Sequence, residues 1–127
     1  MVTIANDQLL IVSLSGTIDS GAALELAREL NRIEAAGAYP KRIVFVDENL
    51  TVALKSDDVM LYKSHRLEPL TVAKTAFCVF TDLQFGIARM FQTLLESEKH
   101  EIQIFRDRES AAQWLDVDIG LIQVKPV

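Results

Sequence analysis

The chain has 127 residues and a formal net charge of -5, with 50% hydrophobic and 24% charged residues. This length falls within the roughly 100–200 residues typical of one domain, so we expect a single domain over residues 1–127. The acidic balance argues against a bulk electrostatic affinity for nucleic acid or anionic membranes. The single cysteine excludes an internal disulfide and a multi-cysteine zinc site, and it favours a reducing compartment.

The sequence predicts neither a membrane-spanning segment nor an export signal. Its apolar runs all fall short of the roughly 20 residues that a bilayer-spanning helix needs. The first residues lack the basic start of a secretory signal. We therefore expect a cytoplasmic protein without a membrane span.

The chain begins with a predicted hairpin. Residues 2–4 and 9–14 are two apolar segments that favour strands. Asn6 and Asp7 between them tolerate the backbone conformations of a tight turn. We therefore expect the sheet to open with two antiparallel strands.

A helix is predicted after this hairpin. Apolar residues recur at three- and four-residue spacing from Ala23 to Ile33, which is the period of an amphipathic helix. Asp19 or Ser20 is expected to cap its start, and Gly37 is well placed to end it.

Strands and helices alternate along the rest of the chain. The apolar runs 43–46 and 72–80 resemble interior strands covered on both faces, and a short strand follows at 102–105. The remaining helices are expected at 56–67 with a hydroxyl cap from Ser56, at 85–96, and from the cap Asp107 to Leu115.

This order of elements predicts an α/β fold, an open mostly parallel sheet of about five strands with an N-terminal hairpin and four helices. The tail at 117–127 carries Ile119, Leu121, Ile122 and Val124, so it is apolar enough to require burial. We expect the tail either to add an edge strand or to contact a second subunit.

Motifs of common enzyme classes are missing from the chain. There is no GxSxG elbow, no GxxxxGK[ST] phosphate loop and no GxGxxG fingerprint, so hydrolase, nucleotide-triphosphatase and dinucleotide-binding functions lack their usual support. His65 and His100 lie on different predicted elements, which argues against a zinc site. Cys78 lies inside an apolar strand, where we expect a buried structural thiol. We therefore predict a protein that is not an enzyme and has no catalytic residue, metal or cofactor.

Polar residues near the carboxyl ends of the predicted strands are the candidate site, because ligands of open α/β sheets tend to bind there. The segment that directly follows the central strand has the strongest functional character. The binding or regulatory candidates are Asp47, Glu48, Asn49, Thr51, Ser56, Asp82, Gly86 and Arg89.

Three of these features have competing interpretations. Asp47 and Asp82 at neighbouring strand ends could jointly hold magnesium, as in a phosphoacceptor domain, although the further acidic pair and lysine of a receiver are missing. Gly86 and Arg89 share one side of a helix, as a ligand contact or as a packing glycine beside a surface arginine. The basic stretch 63–66 is interpreted as an exposed helix face; a phosphate or lipid head group is the alternative.

Four segments in the second half carry a family resemblance. They resemble the SpoIIAA-like family of small bacterial STAS-type domains in order and spacing, and the resemblance covers roughly residues 8–116. The segments are KTAFCVF at 74–80, FGIARMF at 85–91, IFRD at 104–107 and AAQWL at 111–115.

The resemblance implies a bacterial regulatory domain that binds another protein rather than catalysing a reaction. STAS domains act as anti-anti-sigma factors or as appendages of sulfate transporters, and some are switched by phosphorylation of a serine after the central strand. The matching stretch here lacks the Asp-Ser-Ser-Gly-type signature and offers only the hydroxyls of Thr51 and Ser56. We therefore expect an interaction module with an unknown protein partner, which also forms a homodimer.

The broader superfamily supplies a second interpretation. It contains lipid-carrying domains of the CRAL-TRIO type, which implies a carrier or sensor of a small apolar or lipid-like ligand. Movement of the predicted helix at 57–67 would open an apolar pocket for such a ligand.

Overall fold

Five strands form a central sheet with helices on both faces, in a computed structural model that describes residues 2–66 and 72–122. Within these ranges no helix is long and apolar enough to cross a bilayer. The strands are β1 (Val2–Ile4), β2 (Leu9–Leu14), β3 (Thr17–Ile18), β4 (Lys41–Val46), β5 (Thr51–Val52), β6 (Lys74–Cys78) and β7 (Glu101–Phe105). The helices are α1 (Ser20–Ala36), α2 (Ser56–His65), α3 (Asp82–Leu95) and α4 (Arg108–Leu115).

The sheet runs in the order β1-β2-β4-β6-β7. β1 pairs antiparallel with β2 through a turn in which the Asn6 side chain accepts hydrogen bonds from the backbone N–H groups of Gln8 and Leu9. The other neighbouring strands pair in parallel. The predicted α/β fold with its N-terminal hairpin and four helices is therefore confirmed.

Aspartate side chains cap α1 and α4 as predicted. Asp19 accepts a hydrogen bond from the backbone N–H of Ala22 at 2.9 Å. Asp107 accepts from the N–H of Ser110 at 2.7 Å, and this bond and a second one from the Ser110 hydroxyl hold the pKa of its carboxyl below the ordinary value. Each cap satisfies a helix N–H that has no partner within the helix.

The predicted start of α3 at residue 85 is wrong, because the helix begins at Asp82. Thr81 and Gln84 form a capping box. The Thr81 hydroxyl oxygen accepts from the N–H of Gln84 at 3.1 Å, and the Gln84 side chain accepts from the N–H of Thr81. Apolar periodicity begins only at the second turn of this helix, so it placed the boundary too late.

The predicted cap of α2 is also wrong. Lys55 is the N-cap residue and Ser56 is the first residue of the helix. The Asp58 carboxylate turns back to accept a hydrogen bond from the N–H of Lys55 at 2.9 Å. The helix ends at His65, and the predicted end near residue 67 lies outside the described residues.

A second, two-stranded sheet joins segments that the sequence predicted as loops. β3 and β5 pair in parallel, and the N–H of Thr51 donates to the carbonyl of Gly16 at 2.8 Å. Gly16 has a φ of +75°, in the left-handed region that favours glycine. Strands of two residues are too short to produce an alternating pattern of apolar and polar side chains, so periodicity could not predict them.

Alternate residues of the strands build two separate cores. We call the side covered by α1, α2 and α3 the three-helix face; it contains Val12, Val44 and Phe77. We call the opposite side, covered by α4, the α4 face. It contains Leu9 and Ile43 together with small and apolar side chains from α4. A strand shifted by one residue would exchange these two sets.

The described part of the tail packs on the α4 face. Asp116 ends α4 with a left-handed backbone, and the chain then forms a 3₁₀ turn at Ile119–Leu121 rather than a strand. The side chain of Ile122 is fully buried in the α4-face core beside Leu115. The predictions for residues 123–127 lie outside the described residues.

Candidate functional site

An open cleft of about 430 Å³ lies at the carboxyl ends of the parallel strands, where the sequence placed its candidate site. Asp47 and Glu48 line it together with Arg106 and Arg108. The Arg108 guanidinium lies 4.6 Å from the centre of the Phe45 ring, which is a cation–π contact. The cleft therefore combines acidic, basic and aromatic side chains.

Gln84 fixes one wall of this cleft, and sequence reasoning missed it. The residue is buried, and its side-chain amide donates to the backbone carbonyls of Asp47 and Glu48 at 2.8 and 3.2 Å. Its carbonyl oxygen accepts from the N–H of Phe80 at 2.8 Å. The spacing of Thr81 and Gln84 is a capping-box signature, and it would have identified this residue.

Asp47 and Asp82 each have a hydrogen-bond partner of their own. The Asp47 carboxylate accepts from the N–H of Asn49 at 2.9 Å, so this pair closes the turn after β4. The Asp82 side chain is 99% exposed and accepts from Arg106 at 2.7 Å. Within residues 2–66 and 72–122 there is no group of three His, Cys, Asp or Glu that could hold a metal ion. The geometry therefore gives the magnesium-dependent phosphoacceptor no support.

The two candidate hydroxyls lie apart from the cleft lining. Thr51 is an exposed residue of β5, and its backbone rather than its side chain makes the contact with Gly16. Ser56 is exposed at the first position of α2, followed by the acidic residues Asp57 and Asp58. Neither residue is among the side chains that line the cleft in the described part of the chain.

Gly86 and Arg89 both lie on the exposed side of α3. A Cβ atom built on Gly86 would meet no heavy atom of the described residues within 4 Å. The packing role considered for Gly86 is therefore wrong, because no neighbouring backbone approaches it. Arg89 is a surface arginine, as that interpretation expected.

Cys78 is confirmed as a buried residue of β6. Its exposed fraction is 6%, and burial raises the pKa of its thiol to about 12. A thiol with this pKa holds almost no thiolate near neutral pH, and the thiolate is the nucleophilic form. The geometry therefore agrees with a structural role for this side chain.

A cavity of about 100 Å³ lies inside the three-helix face, and its lining shares Leu14, Val46 and Val79 with that of the cleft. It extends along β4 from Arg42 to Val46, and these residues are about 13 Å apart at the rise of an extended strand. Most of its lining is aliphatic or aromatic. Side chains from every covering helix contribute, for example Leu30 of α1, Tyr62 of α2 and Phe91 of α3.

Three polar side chains form one end of the cavity, at the amino ends of β4, β6 and β7. Arg42 and Thr75 are paired neighbours on adjacent strands, and His100 lies directly before β7. Thr75 Oγ1 and His100 Nε2 are 2.7 Å apart and share a hydrogen bond. All three residues are buried, so this end of the cavity is a polar site shielded from solvent.

Arg42 belongs to a buried ion cluster with Glu34 and Arg66, which we call the Glu34 cluster. The two Glu34 carboxylate oxygens each accept from one arginine at 2.6 Å, and the three side chains are 9% exposed or less. Arg66 also donates to the Asn31 side chain at 2.8 Å. Arg66 was predicted on an exposed helix face; this is wrong, because the residue turns inward at the end of α2 and pairs with α1.

The pKa of His100 is lowered from 6.5 to about 4, chiefly by burial and also by the positive charges of Arg42 and Arg66. The carboxylates of Glu34 and Glu96 act in the opposite direction but do not offset burial. His100 is therefore neutral near neutral pH, and it adds no charge to the cavity.

Sequence reasoning missed the polar end because it searched the carboxyl ends of the strands. Arg42 is two residues before Val44 and four before Val46, so strand alternation places all three side chains on one face. Those valines face the core, and a charged residue in phase with them is directed inward as well. This alternation was the available signal for Arg42, whereas its partner Glu34 had no such signal.

The comparisons with known proteins identify no relative. No protein-family model, no curated protein and no solved structure matches the chain. The resemblance to the SpoIIAA-like family therefore stays a prediction.

Proposed function

We propose that this protein is a non-enzymatic binding module that carries or senses a small apolar ligand in the cavity of the three-helix face. One observation carries the proposal: the core contains a cavity of about 100 Å³ with apolar walls and a polar group at one end. Small-molecule sites have this composition, in which many apolar contacts surround a few orienting polar atoms.

The cavity is large enough to matter energetically. At roughly 24 cal/mol per Å³, an empty cavity of about 100 Å³ lowers the stability of a core by about 2 kcal/mol. A dry apolar cavity of roughly 150 Å³ is known to bind benzene. A ligand that fills this volume would therefore stabilise the folded state.

Helix α2 provides a means of entry. It buries only Val59 and Tyr62, whereas Met60 and Leu61 are 46% and 41% exposed. Tyr62 lines the cavity, so displacement of α2 would expose the interior. A helix with few buried apolar contacts belongs to the less stable parts of a fold, which open most easily.

Benzene binding tests this proposal directly. Amide chemical shifts of the ¹⁵N-labelled protein would be recorded during a benzene titration. We expect shifts at cavity residues such as Val44, Phe77 and Ala88, together with a higher melting temperature. Ala88→Leu should abolish both effects, because the larger side chain occupies the cavity.

Ala35→Leu is the matched control, since it makes the same substitution at an exposed position of α1. It should leave benzene binding unchanged. Absence of saturable shifts in the wild-type protein, or equal binding to the Ala88→Leu variant, would contradict the proposal. If benzene binds as expected, native mass spectrometry of protein purified from its own source would identify the natural ligand.

We propose as a second candidate a STAS-type protein-interaction module, the function implied by the family resemblance. The observation that favours it is an exposed apolar pair, Phe80 and Leu83, on either side of the α3 cap at 55% and 75% exposure. Phe80 also lines the cleft that contains Asp47 and Glu48. Exposed apolar side chains beside a polar rim are typical of protein-binding surfaces.

Affinity capture with the purified protein as bait tests this candidate. A protein from the source organism retained by the wild type should be lost with Leu83→Ser. The control is Leu121→Ser, because Leu121 is also a partly exposed leucine, at 38%, and it lies in the tail rather than beside the cleft. Equal retention by both variants would reject this surface as the interface.

A further inference from the structure

We infer that the ligand of the cavity carries a carboxylate, and that Arg42 binds this group at the amino ends of the strands. The inference rests on the proposed ligand-binding function and specifies its ligand as a short monocarboxylate with an apolar chain. It is carried by an unused hydrogen-bond donor and by the charges of the Glu34 cluster.

The unused donor is the Nε–H group of Arg42. The residue is 6% exposed and lines the cavity, yet its Nε has no hydrogen-bond partner among the residues that the structure describes. Its Nη2 is already engaged, because it donates to Glu34. Burial of a donor without a partner is costly, and more so for a charged group, so a ligand acceptor at this point is favoured.

The charges of the Glu34 cluster favour an anionic acceptor. Two buried guanidinium groups, those of Arg42 and Arg66, share the single carboxylate of Glu34. The cluster therefore holds one more positive than negative charge in a region of low dielectric. A second carboxylate beside Arg42 would balance this charge and form a charge-assisted hydrogen bond.

The neighbouring groups leave this position open to an anion. His100 is neutral near neutral pH, and its Nε2 is already bonded to Thr75. The nearby Glu96 is exposed, and its carboxylate accepts the N–H of Ile102 at 3.0 Å. Among the described residues, the other members of the Glu34 cluster are the Glu34 carboxylate, which binds both arginines, and the positively charged Arg66.

The shape of the cavity selects a monoanion with a short apolar chain. Beyond Arg42 the lining continues with Val44, Phe77 and Val46, so the rest of the ligand meets mainly apolar side chains. The amide of Gln84 also lines the cavity, and it is already bonded to backbone groups. A phosphate would bring more charge and more oxygen atoms than one free N–H can satisfy, and burying them without partners is unfavourable. A volume of about 100 Å³ suits a chain of few carbons.

A titration of the wild-type protein with hexanoate and hexan-1-ol tests the inference, because the two probes differ mainly in the charged group. The signal to follow is the ¹⁵Nε–¹Hε resonance of Arg42, assigned by its loss in Arg42→Lys. We expect hexanoate to bind about tenfold to a hundredfold more tightly than the alcohol, as hydrogen bonds to charged groups do. The Arg42 Hε resonance should move downfield with hexanoate only.

Arg42→Lys supplies the second readout. Lysine keeps a positive charge beside Glu34 but has no Nε–H, so the affinity for hexanoate should fall to about that for hexan-1-ol. The control Arg32→Lys, at an exposed position of α1, should bind hexanoate like the wild type. If Arg42→Lys fails to fold, the inference is still tested by the Arg42 Hε resonance of the wild type and by its ratio of affinities for hexanoate and hexan-1-ol.

The outcomes separate this inference from the function on which it rests. Equal affinity for hexanoate and hexan-1-ol would overturn the carboxylate inference and leave apolar binding in place. Tighter hexanoate binding with an unmoved Arg42 resonance would also overturn it, because the head group would then lie elsewhere. Failure of both probes and of benzene to bind would reject the proposed function itself.

Discussion

The two faces of the sheet are packed differently, although the same strands supply both. On the α4 face, Ala111 and Ala112 bring α4 close to Ala76 of β6, and Leu115 and Ile122 fill the remaining space. On the three-helix face the larger span under three helices leaves the cavity, and no α4-face core residue contributes to its lining.

Under the proposed function, this difference gives the two faces separate roles. A densely packed face supplies stability, because each buried methylene there makes contacts on all sides. A face with a cavity and buried charges gives up stability and gains a place for a ligand, the trade between stability and function that binding sites commonly show. Each substitution or titration below should act on one face far more than on the other.

The largest effect is expected on the three-helix face from Glu34→Gln. The change keeps the shape of the side chain but leaves the guanidinium groups of Arg42 and Arg66 buried without their carboxylate. We expect the free energy of unfolding, measured by urea denaturation, to fall by about 3–5 kcal/mol.

The control is Glu25→Gln, an exposed position on the same helix, for which we expect a change within about 0.5 kcal/mol. An equal and small effect of both substitutions would mean that the Glu34 cluster contributes little to stability. The contrast between the two faces would then rest on the cavity alone.

The next effect is a loss of stability in acid that arises from His100. Its pKa is 6.5 when unfolded and about 4 in the folded protein, so the folded state binds fewer protons between these values. The contribution of neutral His100 is therefore complete above about pH 6.5 and is lost as the pH falls towards 4. The loss is on the order of 3 kcal/mol.

Urea denaturation at a series of pH values measures this loss. His100→Gln removes the titrating group, so its stability should depend less on pH over this window. His65→Gln is the control, since it makes the same substitution at an exposed position of α2. Parallel pH profiles for all three proteins would show that His100 does not titrate as described.

The fold could be predicted from the sequence where local patterns determine it, and not where contacts between distant segments do. Apolar periodicity and caps such as Asp19 and Asp107 act within a few residues, and they were sufficient for the sheet, the hairpin and the four helices. The two-residue pairing of β3 with β5 depends on contacts between distant segments. A local sequence pattern does not predict such contacts.

The candidate site was less predictable for the same reason. Asp47 and Glu48 were correctly placed at the carboxyl ends of the strands, where they line the cleft. The Glu34 cluster joins residues from α1, β4 and the end of α2, and only the fold brings these together. The cavity is still harder to predict, because its volume depends on how all the surrounding side chains pack and not on any single residue.

A matched pair of alanine-to-leucine substitutions compares the packing of the two faces directly. Ala88 of α3 lines the cavity, whereas Ala111 of α4 is fully buried in the other core. Leucine has a helix propensity close to that of alanine, so both changes test mainly the available space. We expect Ala111→Leu to lower the free energy of unfolding by about 1–3 kcal/mol, and Ala88→Leu to change it by less than about 1 kcal/mol.

The readout is urea denaturation of the two variants beside the wild type. Equal destabilisation by both would contradict the difference between the faces, because it would mean that α3 packs as tightly on the sheet as α4 does. A stabilised Ala88→Leu variant would strengthen the comparison, since the added methyl groups would be filling the cavity.

The smallest perturbation is chemical labelling of Cys78, which reports how accessible β6 is from the cleft that this residue lines. Burial raises the pKa of this thiol from 9.0 to about 12, so the folded protein holds roughly a thousandfold less thiolate than an exposed cysteine. Ser64→Cys provides an exposed thiol on α2 for comparison in the same molecule. Reaction with a disulfide reagent should therefore be biphasic, with the α2 thiol reacting about a thousandfold faster than Cys78. Similar rates for the two thiols would mean that β6 becomes accessible as readily as the helix that covers the cavity, which would contradict the tighter packing of the α4 face.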